Sequence, residues 1–166
     1  MEKIITDEKK IEQILSRGIE EVIIKKHLKK RMLKGEKLRI KFGIDPTGSF
    51  LHLGHAVVLR KLRDFQSLGH QVIFLIGDFT AKIGDPTGRS SERKPLTGEE
   101  IKRNMQTYQE QASKILDMEK VEVRYNSEWL EKLDLKDVIT LTSKITYAQM
   151  AQRASFKERI KKDVDL

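Results

Sequence analysis

The chain has 166 residues, 38% of them hydrophobic, with 33 Lys plus Arg against 25 Asp plus Glu for a net charge of +8, and no cysteine. That content builds one substantial core rather than two large domains, and the positive excess suits anionic partners such as nucleotides or RNA as well as a solvated surface. The missing cysteines exclude disulfides, thiolate zinc and cysteine nucleophiles. Short, charge-broken apolar runs and the start Met1-Glu2-Lys3-Ile4-Ile5 fit neither a membrane span nor a signal peptide, so a soluble, cytoplasmic protein without a membrane partner is expected.

Across residues 7–33, Ile11, Ile14, Leu15, Ile19, Val22, Ile23 and Leu28 recur mostly at helical spacing, with Gly18 as a break, which predicts two amphipathic helices. The second carries Lys25, Lys26, Lys29, Lys30 and Arg31, either a solvated face or an RNA contact. Gly35 closes this region. Residues 38–44 alternate apolar and basic side chains and predict a strand. A helix over residues 54–68 follows, with Val58, Leu62 and Phe65 as its inward stripe and Gly69 as its stop. The run 71–77 reads as a parallel strand covered on both faces. Strand, helix and strand then form a βαβ unit, the start of a doubly wound α/β sheet.

Residues 77–95 hold glycines, prolines, hydroxyls and the cations Lys82, Arg89, Arg93 and Lys94 without periodicity, the mark of a functional loop. Thr97 with Glu100 predicts a capped helix running to about residue 116. Residues 121–125 predict a third strand, and 134–143, 147–151 and 156–162 predict short helices. Leu135, Val138, Leu141, Ile145, Tyr147 and Met150 exceed what a lone connector needs. They predict a contact with another part or another copy of the protein.

The chemistry concentrates behind the turn Gly43-Ile44-Asp45-Pro46-Thr47-Gly48, where Leu51-His52-Leu53-Gly54-His55 opens the first βαβ helix. Backbone N–H groups at a helix start attract phosphate, and imidazoles three apart share one face and can donate to the same oxygens. Gly54 removes a Cβ where a nucleotide approaches the backbone. Asp45-Pro46-Thr47-Gly48 recurs as Asp85-Pro86-Thr87-Gly88. Both copies follow a strand, so both belong at the carboxyl edge of the sheet, where open α/β sheets bind ligands, although the sequence is also ordinary turn chemistry. Thr80 and Asp85 are candidates for holding a polar head group, or else turn caps. Arg89 and Arg93 could reach a polyphosphate, or else form an exposed basic loop. His27 and His70 lie far from the histidine pair and no zinc set or P-loop occurs, so no protein-bound metal is expected.

These motifs, with Gly77-Asp78-Phe79-Thr80, Ile83-Gly84-Asp85-Pro86-Thr87-Gly88-Arg89-Ser90 and Tyr125-Asn126-Ser127-Glu128-Trp129-Leu130, resemble the bacterial tyrosyl-tRNA synthetases, class I aminoacyl-tRNA synthetases, over nearly the whole chain. The resemblance implies a Rossmann catalytic core that joins ATP and tyrosine into tyrosyl-adenylate and then charges tRNA(Tyr). Mg2+ would accompany ATP, and homodimerisation would use the connective region. It implies that His52 and His55 stabilise ATP phosphates with help from Thr47, and that Gly43, Asp45 and Gly54 line the nucleotide and adenylate pocket. Thr80 and Asp85 would receive the tyrosine amino group, and Arg89 and Arg93 would belong to a mobile loop reaching pyrophosphate. Asn126 and Trp129 would stand behind the residues that touch substrate.

Two departures accompany it. Lys41 stands where many members have a tyrosine that approaches the substrate phenol. The family's tyrosine-binding helix, later Rossmann strands, Lys-Met-Ser-Lys-Ser-type loop and anticodon-binding parts do not occur in these residues, so half an active site is expected. The division expected is 1–36 amino-terminal helices, 37–125 first half of the Rossmann domain and 126–166 helical connective and dimer region. The residues leave two rivals open: a small nucleotidylyltransferase of the His-x-Gly-His type, and a non-catalytic RNA-binding or dimerising module.

Overall fold

The computed structural model describes residues 3–83 and 96–161. Helix α1 (Glu8–Ile14) starts where the Asp7 carboxylate accepts the Lys10 N–H at 2.8 Å, the usual satisfaction of a free helix-start donor. It packs against α2 (Lys25–Leu33). Ile11, Ile14, Leu15 and Met32 join Leu38, Phe65 and Leu68 in a small core of their own. The apolar repeat continues beyond α1 but the helix does not. Gly18 turns at φ +64°, Ile24 sits at φ +55°, and Ile23 is 80% exposed. Ile19, Val22 and Ile23 therefore lie in the connection rather than on a helix, because two left-handed residues break the periodicity they seem to continue.

Strands β1 (Arg39–Ile44), β2 (Gln71–Ile76) and β3 (Val121–Tyr125) form one parallel sheet in the order β1-β2-β3. Gly43 pairs with Leu75, Ile44 with Ile76, and Ile76 with Tyr125. Helix α3 (Leu53–Ser67) joins β1 to β2, and α4 (Gly98–Ser113) precedes β3. Leu59 and Leu62 of α3 and Tyr108 and Ala112 of α4 meet Val72, Phe74 and Ile76 of β2 in the main core. Each fully buried large side chain there contributes about 1.5–3 kcal/mol. The inward stripe of α3 is Leu59, Leu62 and Phe65, whereas Val58, expected on it, is 37% exposed. Burial is shifted by one residue, about a quarter of a helical turn.

Thr97 and Glu100 make the reciprocal cap that the sequence predicts for α4. After β3 come α5 (Ser127–Leu130), which the sequence reading missed, then α6 (Leu135–Thr142), α7 (Tyr147–Ala151) and α8 (Ala154–Lys161). Among the described residues Leu135, Ile139, Leu141 and Tyr147 stay well exposed. A cavity of about 540 Å³ opens between Leu141, Ile145, Tyr147, Met150, Phe156 and Ile160. No described helix is long and apolar enough to cross a membrane.

The parallel ladder runs one bond past each neighbour. Gly77 N–H donates to the Ile44 carbonyl at 2.8 Å and Asn126 N–H to the Ile76 carbonyl at 3.0 Å. Asp45, Gly77 and Asn126, each the first residue after its strand, are thereby held side by side at the carboxyl edge.

Candidate active site

His52 is the N-cap of α3, extended at φ −108° and ψ 177°. Its Nδ1 accepts the Gly54 N–H at 3.1 Å, and the Nδ1 of His55 accepts the His52 N–H at 3.2 Å. Two imidazoles thus perform the reciprocal cap that Ser and Glu perform elsewhere. The rings lie 3.9 Å apart between centroids, tilted by 31°. A ring nitrogen that accepts carries no proton, so each neutral ring bears its hydrogen on Nε2. Burial, and then the neighbouring His52, hold the His55 imidazole below the usual histidine range, which keeps that ring a neutral donor.

The helix start differs from the sequence expectation in one respect. The Gly54 N–H is taken by His52 Nδ1, and the His55 N–H also donates to the His52 carbonyl at 2.9 Å. The imidazole Nε2–H groups, rather than bare backbone N–H groups, are therefore the principal donors here. Gly54 gains a second reason as well. A Cβ there would lie 3.0 Å from His52 Cε1 and 3.1 Å from its Nδ1, crowding the folded-back ring.

A second group ties the three strand ends together. Thr80 Oγ1 donates to Asp45 Oδ1 at 2.7 Å and accepts from Asn126 Nδ2 at 2.9 Å. Asn126, only 8% exposed, accepts the Phe79 N–H through Oδ1 at 2.9 Å. The single Thr80 proton is shared between Asp45 at 2.7 Å and the Gly77 carbonyl at 3.2 Å, the shorter contact being to Asp45, and one lone pair remains to receive a donor. Asp78 accepts the Ser127 N–H at 3.0 Å and its hydroxyl at 2.6 Å, starting α5. Gly77 makes the cluster possible, because a Cβ there would fall 1.8 Å from Asp45 Oδ1 and 2.6 Å from Thr80 Oγ1.

Thr47 lies exposed in the turn, its N–H donating to the Asp45 carbonyl at 2.8 Å. Lys41 reaches forward along β1, so a Cβ on Gly43 would meet its Nζ at 3.4 Å. Trp129 is 43% exposed, with its backbone N–H on the Asn126 carbonyl. Lys82 pairs with Glu131 at 2.8 Å. Asp85, Arg89 and Arg93, with the second Asp-Pro-Thr-Gly copy, lie outside the described residues. Among the described residues no group of three His, Asp or Glu side chains could hold a metal ion.

The structure therefore joins Asp45 to Thr80 and His52 to His55, sets Asn126 directly behind Thr80, and adds Gly77. The arrangement offers paired neutral N–H donors at a helix start and a carboxylate, hydroxyl and carboxamide at adjacent strand ends. That combination suits an anionic phosphate chain beside a polar head group.

Comparison with known proteins identifies the family. The chain is 51% identical over 154 residues to the tyrosine--tRNA ligase of Thermotoga maritima, covering 93% of this chain and 38% of that protein. It is 53% identical over 150 residues to the tyrosine--tRNA ligase of Oleidesulfovibrio alaskensis, covering 90% and 38%. The chain thus spans about 38% of the length of these curated relatives. A C-terminally truncated Aspergillus nidulans mitochondrial tyrosyl-tRNA synthetase superposes with a TM-score of 0.74 at 25% identity, over 95% of this chain and 48% of that one. The Archaeoglobus fulgidus tyrosyl-tRNA synthetase complexed with L-tyrosine gives 0.69 at 26% identity, over 89% and 44%. The family of tRNA synthetases class I (W and Y) matches residues 33–166, and the chain belongs to that family.

Proposed function

We propose that this chain forms the ATP-phosphate side of the active site of a tyrosyl-tRNA synthetase, which activates tyrosine as tyrosyl-adenylate and transfers it to tRNA(Tyr). The observation that carries the reading is the paired capping of His52 and His55, which turns both Nδ1 atoms onto backbone N–H groups and leaves both Nε2–H groups as donors. The tyrosine carboxylate attacks the α-phosphorus, a carboxylate–phosphorus bond forms, and pyrophosphate leaves with the electron pair. His52, His55 and the Thr47 hydroxyl donate to phosphate oxygens as charge builds there. Gly43, Asp45 and Gly54 line the nucleotide pocket. Thr80, through its free lone pair, and Asp85 receive the tyrosine ammonium, while Arg89 and Arg93 meet the departing pyrophosphate. Magnesium would accompany ATP, held mostly by phosphate and water oxygens.

The same reading takes residues 1–36, 37–125 and 126–166 as helical preface, half Rossmann domain and connective region. It makes the exposed apolar side chains of α6 and α7 part of a homodimer interface, and it assigns the enzyme to the cytoplasm.

The test grafts this chain in place of the first 38% of the Thermotoga maritima ligase and measures tyrosine-dependent ATP–pyrophosphate exchange. Exchange with tyrosine but not tryptophan is expected, with His52→Ala or His55→Ala each lowering it about 10²–10³-fold. The 166-residue chain alone is expected to give negligible exchange. Exchange indifferent to both histidines, or full exchange by the chain alone, would overturn the proposal.

A further inference from the structure

We propose that Gln111 is a positioning residue for the two histidines: its carboxamide, presented from α4, fixes the backbone just before His52 and so sets the ring pair that donates to phosphate. The catalytic part of this inference rests on the reading above. The geometric part does not.

Residues 46–51 bridge β1 and α3 outside any ladder or helix, so their backbone groups need partners from elsewhere. One face of α4 supplies them, through Asn104, Thr107 and Gln111 at successive helical turns. Asn104, 8% exposed, donates from Nδ2 to the Pro46 carbonyl at 2.9 Å and accepts the Ser49 hydroxyl at 2.8 Å. Thr107 donates to the Ser49 carbonyl at 2.6 Å. Gln111 grips both sides of Phe50: Nε2 donates to the Ser49 carbonyl at 2.9 Å, and Oε1 accepts the Leu51 N–H at 2.8 Å.

These bonds are not equivalent. The Ser49 carbonyl has Thr107 as a second donor, whereas the Leu51 N–H has Gln111 Oε1 as its acceptor. Phe50 between them is 81% exposed and offers little anchorage. Leu51 packs against the main core and is followed at once by His52, whose N–H and Nδ1 both belong to the ring-pair cap. Displacing the Leu51 backbone therefore displaces the His52 N–H from His55 Nδ1, and with it the tautomer that puts the proton on His55 Nε2. A primary carboxamide donates and accepts at once. Asparagine at this position would be one methylene short.

Imidazole nitrogen-15 spectra of the 166-residue chain test the geometric part. In the unmutated chain both histidines should show a single neutral tautomer protonated on Nε2, and the Leu51 amide should exchange slowly. Mixed tautomers or a fast-exchanging Leu51 amide would overturn the proposal without any variant. Gln111→Met keeps the length and removes the bonds to Ser49 and Leu51, together with the 3.1 Å bond from Nε2 to the Thr107 carbonyl, and should mix the tautomers of His55 while the circular dichroism spectrum stays native. Gln111→Glu keeps an acceptor for the Leu51 N–H and should preserve the single tautomer. A mere packing role predicts lowered melting temperatures with unchanged histidine spectra in both variants, and that result would refute the assignment. In the grafted ligase, Gln111→Met should lower kcat for exchange about 100-fold, with the KM for tyrosine within about twofold of the parent. Unaltered kcat beside a disturbed histidine spectrum would sever the geometric link from catalysis. No exchange by the unmutated graft would instead remove the functional reading and leave the spectra to decide the positioning.

Discussion

Gly77→Ala puts the greatest demand on the interlocked strand ends. The alanine Cβ would fall 1.8 Å from Asp45 Oδ1 and 2.6 Å from Thr80 Oγ1, so Asp45 must retreat by roughly 1.5 Å to reach ordinary contact. Retreat breaks the 2.7 Å bond from Thr80. A hydrogen bond to a charged group contributes about 1.5–3 kcal/mol. If Thr80 also turns aside, the buried Asn126 Nδ2 loses its acceptor, which costs about 1–3 kcal/mol more. Asp45 is only half-buried and recovers part of its loss by hydration. The net expectation is a destabilisation of about 2–4 kcal/mol, a large share of the roughly 5–15 kcal/mol that holds a domain folded.

Urea denaturation of this chain measures the effect. Gly48→Ala and Gly98→Ala serve as controls, because a Cβ at either meets nothing within 4 Å. Both should stay within about 0.5 kcal/mol of the parent, or gain slightly at the helical Gly98. In an Asp45→Ala background the nearest clash is gone, and Gly77→Ala should then cost less than about 1 kcal/mol. Equal cost in both backgrounds would show that the glycine is needed for its backbone rather than for the carboxylate beside it. Parental stability of the single variant would refute the close approach altogether.

Two further outcomes follow from groups away from the site. His70 is 4% exposed, takes the Leu38 N–H on Nδ1 at 3.4 Å, and has no partner for Nε2; burial holds its imidazole below the usual range. The folded chain thus binds a proton less readily than the unfolded one, so stability is fully present above about pH 6.5 and is lost as pH falls through the folded value. Thermal melts from pH 8 to pH 5 should show that loss, with His70→Leu removing a slope of at most about 1.4 kcal/mol per pH unit; an identical slope in both chains would contradict it. Thr97→Ala removes the hydroxyl that caps Glu100 N–H in α4 and should cost about 1 kcal/mol in denaturant. The far-UV spectrum should lose helix only near the transition.

What the sequence made legible is the chemistry carried by neighbours in the chain. The reciprocal cap at Thr97 and Glu100, the apolar run of β2 and the His52–His55 pair are all contained within a few residues. The helical spacing of Ile19, Val22 and Ile23 was just as local, yet it misled. Periodicity records which residues could share a face, but not whether the backbone between them stays right-handed, and Gly18 and Ile24 do not. The shift from Val58 to Leu59 has a related cause: the sheet, not the helix, decides which of two adjacent apolar residues turns inward.

Gln111, and the contact that Asn126 makes with Thr80, were missed for a different reason, since each residue meets its partner across a long stretch of chain. Thr80 and Asn126 are 46 residues apart, and Leu51 and Gln111 are 60 apart. Even so, the first of these contacts follows from a rule that needs only strand ends. In a parallel sheet whose paired strands stop in register, the residue after each strand occupies the same edge. With Ile44 paired to Ile76 and Ile76 to Tyr125, Asp45, Gly77 and Asn126 become neighbours. The middle member must then be small for the outer two to meet around Thr80. Gly77 is what that geometry requires, and the motif that begins with it marks where the third strand must deliver a hydrogen-bonding side chain.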